Sequence, residues 1–313
     1  LAIELAAART RVMRPRAMLD RMGERFKLLA ATGNRRDRQS TLRATLDWSW
    51  ELLTPADRAV LMQLTVFDGG FTLEAVEAVV DGGDAWTADL LQGLVEKSLV
   101  SVSPAGRFSF LRTVRDYLAT HEEAFSLISA EHRHARYYAG LGETEAVAQR
   151  GAEIDNLVLA CHRAAPDEAP VAARALANLW AALRMTGPFR TIAPQLVAVE
   201  ARGLLTSPEQ ALIHAVAAGL LHHTGDPAHA LERARAGARC AAEAGDARLE
   251  AILELGAADV LRSLGRMGDS ARQARHALAR AEAGGDALLQ LKVLNSLGTL
   301  HYFAGEHAQA RAH

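Results

Sequence analysis

The sequence predicts a mainly α-helical protein of more than one unit, and three observations carry that expectation. Apolar residues recur at helical spacing along almost the whole chain. Extended patterning is confined to two short runs, Leu99–Ser103 and Arg107–Leu111. Glycines recur at a fixed step in the C-terminal half. The 313 residues exceed one ordinary domain, and half of them are apolar, which is ample for two cores.

Taken in order, Leu1, Leu5, Ala8 and Val12 mark a first short helix, and Pro15 suits the first turn of a second that carries Met18, Leu19, Met22 and Phe26. A polar connector, Thr32–Gln39, separates them from a third helix, roughly Ser40–Leu53, expected to place Leu42, Leu46, Trp48 and Trp50 around a core. Thr54-Pro55 is a helix start, because threonine accepts bonds from free amides and proline tolerates a position that needs no donor. That helix should run to about Val66, break at Phe67-Asp68-Gly69-Gly70-Phe71, and be followed by one capped at Thr72 and another from Thr87 to Lys97 that buries Leu90, Leu91, Leu94 and Val95. The two extended runs flank Pro104-Ala105-Gly106, a hairpin turn. Three helices and a hairpin make a winged helix, over residues 39–120.

From Arg112 onward the pattern is helical to the end. Gly225, Gly265 and Gly305 stand 40 residues apart, and Gly245-Asp246 and Gly285-Asp286 repeat with the same step. Two turn positions recurring in phase predict helical hairpins, each burying its apolar face only by stacking on the next. Residues 121–313 are therefore expected to form a tetratricopeptide-like α-solenoid with a long period, an earlier and looser unit ending at Gly187-Pro188.

Several chemistries find no residues to carry them. The three lysines, Lys27, Lys97 and Lys292, follow Phe26, Glu96 and Leu291, so the chain has no phosphate-binding P-loop. His132 and His134 point apart on a helix, and neither HExxH nor CxxC occurs, so no metal site is expected. No serine stands in a GxSxG turn. No catalytic residue is assigned, and the chain is expected not to be an enzyme. Cys161 and Cys240 lie in alanine-rich helical stretches and read as small buried hydrophobes in a reducing, cytoplasmic setting. A net charge of −2 and the lack of any long apolar run or signal peptide give no pull toward nucleic acid or membrane. Ten arginines precede Thr45, but the third helix of the winged unit offers Asp89, Gln92, Glu96 and Lys97 to a groove, so direct DNA reading by it is not expected. In the repeat arm Trp180, His222, His223, His301, Tyr302 and Phe303 are candidates for a concave binding face, against the plainer reading in which Trp180 and Phe303 only pack between helices.

Five segments together suggest a family: Leu1-Ala-Ile-Glu-Leu-Ala-Ala-Ala-Arg, Thr41-Leu-Arg-Ala-Thr-Leu-Asp-Trp-Ser, Leu64-Thr-Val-Phe-Asp-Gly-Gly-Phe-Thr-Leu-Glu-Ala, Leu94-Val-Glu-Lys-Ser-Leu-Val and Phe110-Leu-Arg-Thr-Val-Arg-Asp-Tyr-Leu. With Glu153-Ile-Asp-Asn-Leu further on, they resemble the bacterial signal-transduction ATPases with numerous domains, the STAND class, which includes LuxR-type and antibiotic-regulatory transcriptional activators. The resemblance implies that residues 1–38 are the helical subdomain of a nucleotide-binding module whose P-loop lies upstream. The missing initial methionine and the stop inside an opening helix at Ala312-His313 fit a piece cut from such a protein. It further implies ATP or ADP as the cofactor of the parent, with none held by this piece. Its partners would be the upstream nucleotide-binding domain and an inducer or protein on the repeat arm, bound by residues such as Trp180, His222, His301 and Tyr302. Where relatives carry a Met-His-Asp nucleotide sensor, this sequence has Phe110, Leu111 and Arg112, so histidine sensing is lost and Arg112 alone is left to meet a phosphate or to pair with a carboxylate. The expected role is regulatory and sensory. The alternative is a plain helical-repeat scaffold for protein–protein interaction.

Overall fold

The computed structural model describes residues 16–17, 42–121, 127–148, 151–203 and 205–312. The two opening helices, and with them the subdomain assigned to 1–38, lie outside the described residues apart from Arg16 and Ala17. The chain divides into two compact units, Leu1–Ala130 and Glu131–His313.

In the first unit α1 (Leu42–Glu51), α2 (Pro55–Gln63), a 3-10 turn (Leu64–Val66), α3 (Leu73–Val79) and α4 (Thr87–Glu96) precede a hairpin of β1 (Ser101–Val102) and β2 (Phe108–Ser109), and α5 (Arg112–Ala119) follows. The Thr54-Pro55 start is a reciprocal cap. The Asp57 amide donates to Thr54 Oγ1 and the Thr54 amide donates to Asp57 Oδ2, each at 3.1 Å. Lys97 Nζ, 3.4 Å from the same carboxylate, ties the end of α4 to the start of α2. Burial alone would raise the Asp57 carboxyl, but the Thr54 bonds and the Lys97 charge outweigh it and hold the group below its ordinary value.

The hairpin is shorter than its sequence pattern, because Leu99 and Val100 turn inward as core residues instead of joining a ladder. Its second strand is gripped on both sides. Val102 pairs with Phe108, and Phe108 also exchanges backbone bonds of 2.8 and 2.9 Å with Phe71. Phe71 stacks on Phe67 at 4.7 Å, so the Phe67–Phe71 break closes the core rather than merely ending a helix. Arg115 of α5 donates to the carbonyls of Thr65 and Phe67 at the end of the 3-10 turn, and Tyr117 Oη donates to Asp47 Oδ1 at 2.9 Å. Leu91 and Leu94 are buried as expected, while Leu90 and Val95 are half-buried. Trp48 corrects the expectation for α1: it is 51% exposed, because Leu46 takes the inward position.

The second unit opens within α6 (Ile128–Gly140) and continues through α7 (Glu143–Ala148), α8 (Ile154–Arg163), α9 (Ala169–Leu183), a 3-10 turn (Phe189–Thr191) and α10 (Ile192–Glu200). Regular repeats follow: α11 (Ser207–His223), α12 (Pro227–Glu243), α13 (Ala247–Ser263), α14 (Met267–Ala283), α15 (Ala287–Phe303) and the short α16 (His307–Ala312). Each of α11 to α15 has 17 residues.

The joints explain the period. Gly225, Gly245, Gly265, Gly285 and Gly305 all have positive φ, between 66° and 90°, which an L side chain resists. At Gly265 the glycine amide donates to the Arg262 carbonyl at 3.0 Å and the Arg266 amide to Leu261 at 2.9 Å, closing the helix end. Asp226, Asp246 and Asp286 then cap the next helix by accepting from the amides of His229, Leu249 and Leu289. Between the joints, buried alanines such as Ala230, Ala257 and Ala277 let helices approach closely, and Leu253, Leu261, Val293 and Leu297 fill the remaining space. Each such leucine contributes about 1.5–3 kcal/mol when fully buried. The fold is thus mainly α, a winged helix with a two-strand hairpin and a tetratricopeptide-like solenoid. No helix among the described residues is long and apolar enough to cross a membrane.

Candidate functional site

Because the period is 40 residues, one face of α11, α13 and α15 presents equivalent positions side by side. Leu212, Ile252 and Lys292 form one row, Gly219, Asp259 and Thr299 a second, and His222, Arg262 and Tyr302 a third. The packing of α9 on α11, α11 on α13 and α13 on α15 turns these rows, apart from Thr299 and Tyr302, into a groove. Its cavity of about 380 Å³ is lined by all four helices.

At the α9 side stands Trp180. Its indole lies over Gly219 and meets Phe189 at 6.1 Å and His223 at 5.5 Å. The Gly219 carbonyl accepts from His223 Nδ1 at 2.9 Å, which assigns the ring proton to Nδ1. The floor is apolar, formed by Leu212, Ala215, Ile252 and Leu255. Charged groups line it in pairs: Arg184 with Glu143 at 3.8 Å, Arg262 with Asp259 at 3.5 Å, and Arg248 with Asp286 at 2.9 Å. Burial and the neighbouring His223 and Arg262 depress the His222 imidazole, only partly offset by Asp259, so the ring is neutral near neutral pH. Burial raises the Asp259 carboxyl against the pull of Arg262 and His222. Lys292, exposed on α15, has no ion pair among the described residues. The arrangement offers an apolar floor, an aromatic wall and one uncommitted cation, which suits binding. No cluster of three metal-ligating side chains occurs among the described residues.

Of the residues singled out in the sequence, the structure brings Trp180 and His222 together in this groove. Tyr302 occupies the position equivalent to His222 two repeats on, but lines a separate shallow depression of about 580 Å³ with Phe303 and Leu291. Phe303 is 65% exposed there, so it does not pack between helices. His301 faces neither cavity: its Nδ1 lies 2.5 Å from Glu306 Oε2 across the following joint. Arg112 sits exposed in the first turn of α5 with no ion pair among the described residues, so the expected carboxylate partner is not found there. Cys161 is buried and Cys240 half-buried; both are free thiols. Arg248, Asp259, Arg262 and Lys292 also line the groove and carry no signal of their own in the sequence, although stepping by 40 residues from Leu212 or His222 leads to Lys292 and Arg262.

The exposed face of α4 carries Asp89, Gln92 and Glu96, and Gln92 Nε2 donates to Glu96 Oε1 at 2.9 Å. That face is acidic, the opposite of what a phosphate backbone attracts.

Residues 53–122 match the model of a winged helix-turn-helix domain. A Mycobacterium tuberculosis protein named "Putative HTH-type transcriptional regulator" is 38% identical over 174 residues, which cover 50% of this chain and 20% of that protein, and its Mycobacterium bovis counterpart matches equally. An uncharacterized protein of Mycobacterium tuberculosis is 37% identical over 148 residues, covering 44% of this chain and 38% of its own length. The chain therefore spans about a fifth of the regulators it matches. Among solved structures, a STAND protein with a tetratricopeptide repeat sensor from Pyrococcus horikoshii aligns with 99% of this chain and 57% of its own, at a TM-score of 0.40 and 13% identity. The chain thus carries a winged helix-turn-helix domain and is similar over half its length to mycobacterial HTH-type transcriptional regulators.

Proposed function

We propose that this chain is the regulatory and sensor portion of a nucleotide-gated transcriptional regulator of the LuxR type. The repeat arm binds an inducer or partner, and the winged helix passes that state to an ATPase core outside the chain. The observation that carries the reading is the groove across α9, α11, α13 and α15, a built cavity with no paired nucleophile and base in it. The chain itself does no chemistry on this reading, and works in the cytoplasm, where its thiols stay reduced. Arg112, exposed at the start of α5, offers its guanidinium to a phosphate of ADP or ATP bound by the core. The acidic face of α4 leaves DNA contact to another domain of the whole protein.

Such a relay works only through differential affinity. A ligand that prefers one arrangement of the domains raises the population of that arrangement, and the nucleotide must change ligand affinity by the same factor. The test is calorimetric titration with ADP and ATP of this chain and of the protein extended upstream through the nucleotide-binding domain. Binding by the extended form alone, weakened by Arg112→Ala, supports the reading. Binding by neither form returns the chain to a plain scaffold, and tight binding by this chain alone relocates the nucleotide site.

A further inference from the structure

Gly256 stands in the middle of α13, facing the groove, and nothing lies within 4 Å of the place a Cβ would take. Glycine weakens a helix interior relative to alanine, so its presence there needs a reason. Packing supplies that reason at Gly219, where a Cβ would meet the Trp180 ring, but supplies none at Gly256. Nor does the repeat impose it, because the equivalent positions hold Val216 and Ser296. The missing side chain leaves open space in the floor of the cavity, whose apolar lining includes Leu212 of α11 and Ile252 and Leu255 of α13.

The charges lining that cavity are unequal. Arg184, Arg248 and Arg262 each have a carboxylate within 4.0 Å, whereas Lys292 has no ion pair among the described residues. Lys292 is also the equivalent of Ile252 on the adjacent helix, and lines the same cavity as Gly256. The cavity of about 380 Å³ has the size of a small-molecule site, at the lower end of the range of roughly 300–1,000 Å³ for such pockets.

We propose that the groove binds a small amphipathic acid, its alkyl or aryl body seated in the open space at Gly256 and its single anionic group held by Lys292. This rests on the reading of the arm as a sensor and names the class of inducer it takes. The apolar body gains burial against Leu212, Ile252 and Leu255, and the anion gains the one groove cation that no carboxylate of the described residues already neutralises.

The probe is 8-anilino-1-naphthalenesulfonate, an aryl body with one anionic group, compared with N-phenyl-1-naphthylamine, the same rings without the charge. Both are titrated into the full chain and into Gly256→Leu, Gly256→Ala and Lys292→Gln variants. The sulfonate is expected to saturate at one site and quench an emission that Trp180→Phe removes. Lys292→Gln should weaken the sulfonate about tenfold and leave the uncharged dye unchanged. Gly256→Leu should weaken both about tenfold or more, while a thermal midpoint of Gly256→Ala no lower than the parent's shows that the helix itself tolerates a side chain. Dye binding that survives Gly256→Leu would place the dye away from Gly256 and overturn the proposal. Equal losses of both dyes in Lys292→Gln would also overturn it, since the charge would then play no part. None of these titrations involves nucleotide, so a failed relay in the extended protein leaves them intact, and their failure leaves the relay standing.

Discussion

The indole of Trp180 lies so close to the backbone of Gly219 that a Cβ at 219 would stand 2.8 Å from Cε2 and 3.1 Å from Nε1. The aromatic wall of the groove thus depends on a missing methyl group one helix away. Gly219→Ala gains about 0.5–1 kcal/mol of helix propensity, but pushes the ring off the backbone at an overpacking cost of about 1–3 kcal/mol. The expected outcome is a net loss of stability of about 1–2 kcal/mol, with a shift in Trp180 emission as the ring turns toward solvent. Thermal unfolding followed by tryptophan fluorescence reads both, and an unmoved midpoint with unshifted emission would show that the ring does not rest on this glycine.

The joints between helices give a contrasting glycine. Gly265 has φ 74°, and its amide and that of Arg266 close the end of α13. A β-branched residue is poorly tolerated there, and Gly265→Val is expected to cost about 1–2 kcal/mol or somewhat more. Denaturant titration checks it. Gly265→Asn, which tolerates the left-handed region better, should lie between the two proteins.

Why the solenoid was legible and the groove only half so follows from the same residues. A glycine at each joint is dictated by backbone sterics, and sterics do not depend on what the arm binds, so Gly225, Gly265 and Gly305 announce the period. Aromatic and histidine residues stand out in an alanine-rich background, which picks out Trp180 and His222 but equally His301, whose imidazole is engaged by Glu306. Charged groove residues such as Arg248 and Lys292 look like any solvated face until the repeats are laid in phase. Trp48 shows the limit of periodicity within a short helix: α1 has 10 residues, and its spacing fits more than one inward face.

Arg202 holds the looser part of the arm together. Its two terminal nitrogens donate to the carbonyls of Cys161, His162, Ala164 and Ala165, at 2.8 to 3.3 Å, satisfying the carbonyl end of α8. Lysine cannot reproduce a planar fork, so Arg202→Lys should cost about 1–2 kcal/mol and Arg202→Ala about 2–3 kcal/mol. Cys161, in the last turn of α8, supplies a local reporter. Burial pushes its thiol up to about 12, so it reacts with an alkylating agent only when that turn opens. Alkylation of Cys161 should quicken in both variants while that of the half-buried Cys240 stays constant. Equal rates in parent and variants would mean that the capping bonds do not restrain α8.

His134 gives the arm a stability that falls on acidification. Asn156 Nδ2 donates to Glu153 Oε2 at 2.9 Å, which turns the Asn156 carbonyl oxygen toward His134, 3.3 Å from Nε2. An amide oxygen only accepts, so Nε2 carries the ring proton. Burial, aided by the charge of Arg163, then pushes the imidazole from its ordinary 6.5 down to about 3, despite the bond to Asn156. Between those values the unfolded chain binds a proton that the folded one refuses. Stability contributed by this group is therefore complete above about pH 6.5 and falls on acidification by about 1.4 kcal/mol per pH unit. His134→Phe removes that slope and leaves the other titrating groups in place, at a pH-independent cost for the bond lost by Asn156. Urea unfolding of both proteins between about pH 7 and pH 4.5 should show the parent losing its advantage steadily below about pH 6.5. Parallel curves would show that His134 accepts its proton without leaving the core.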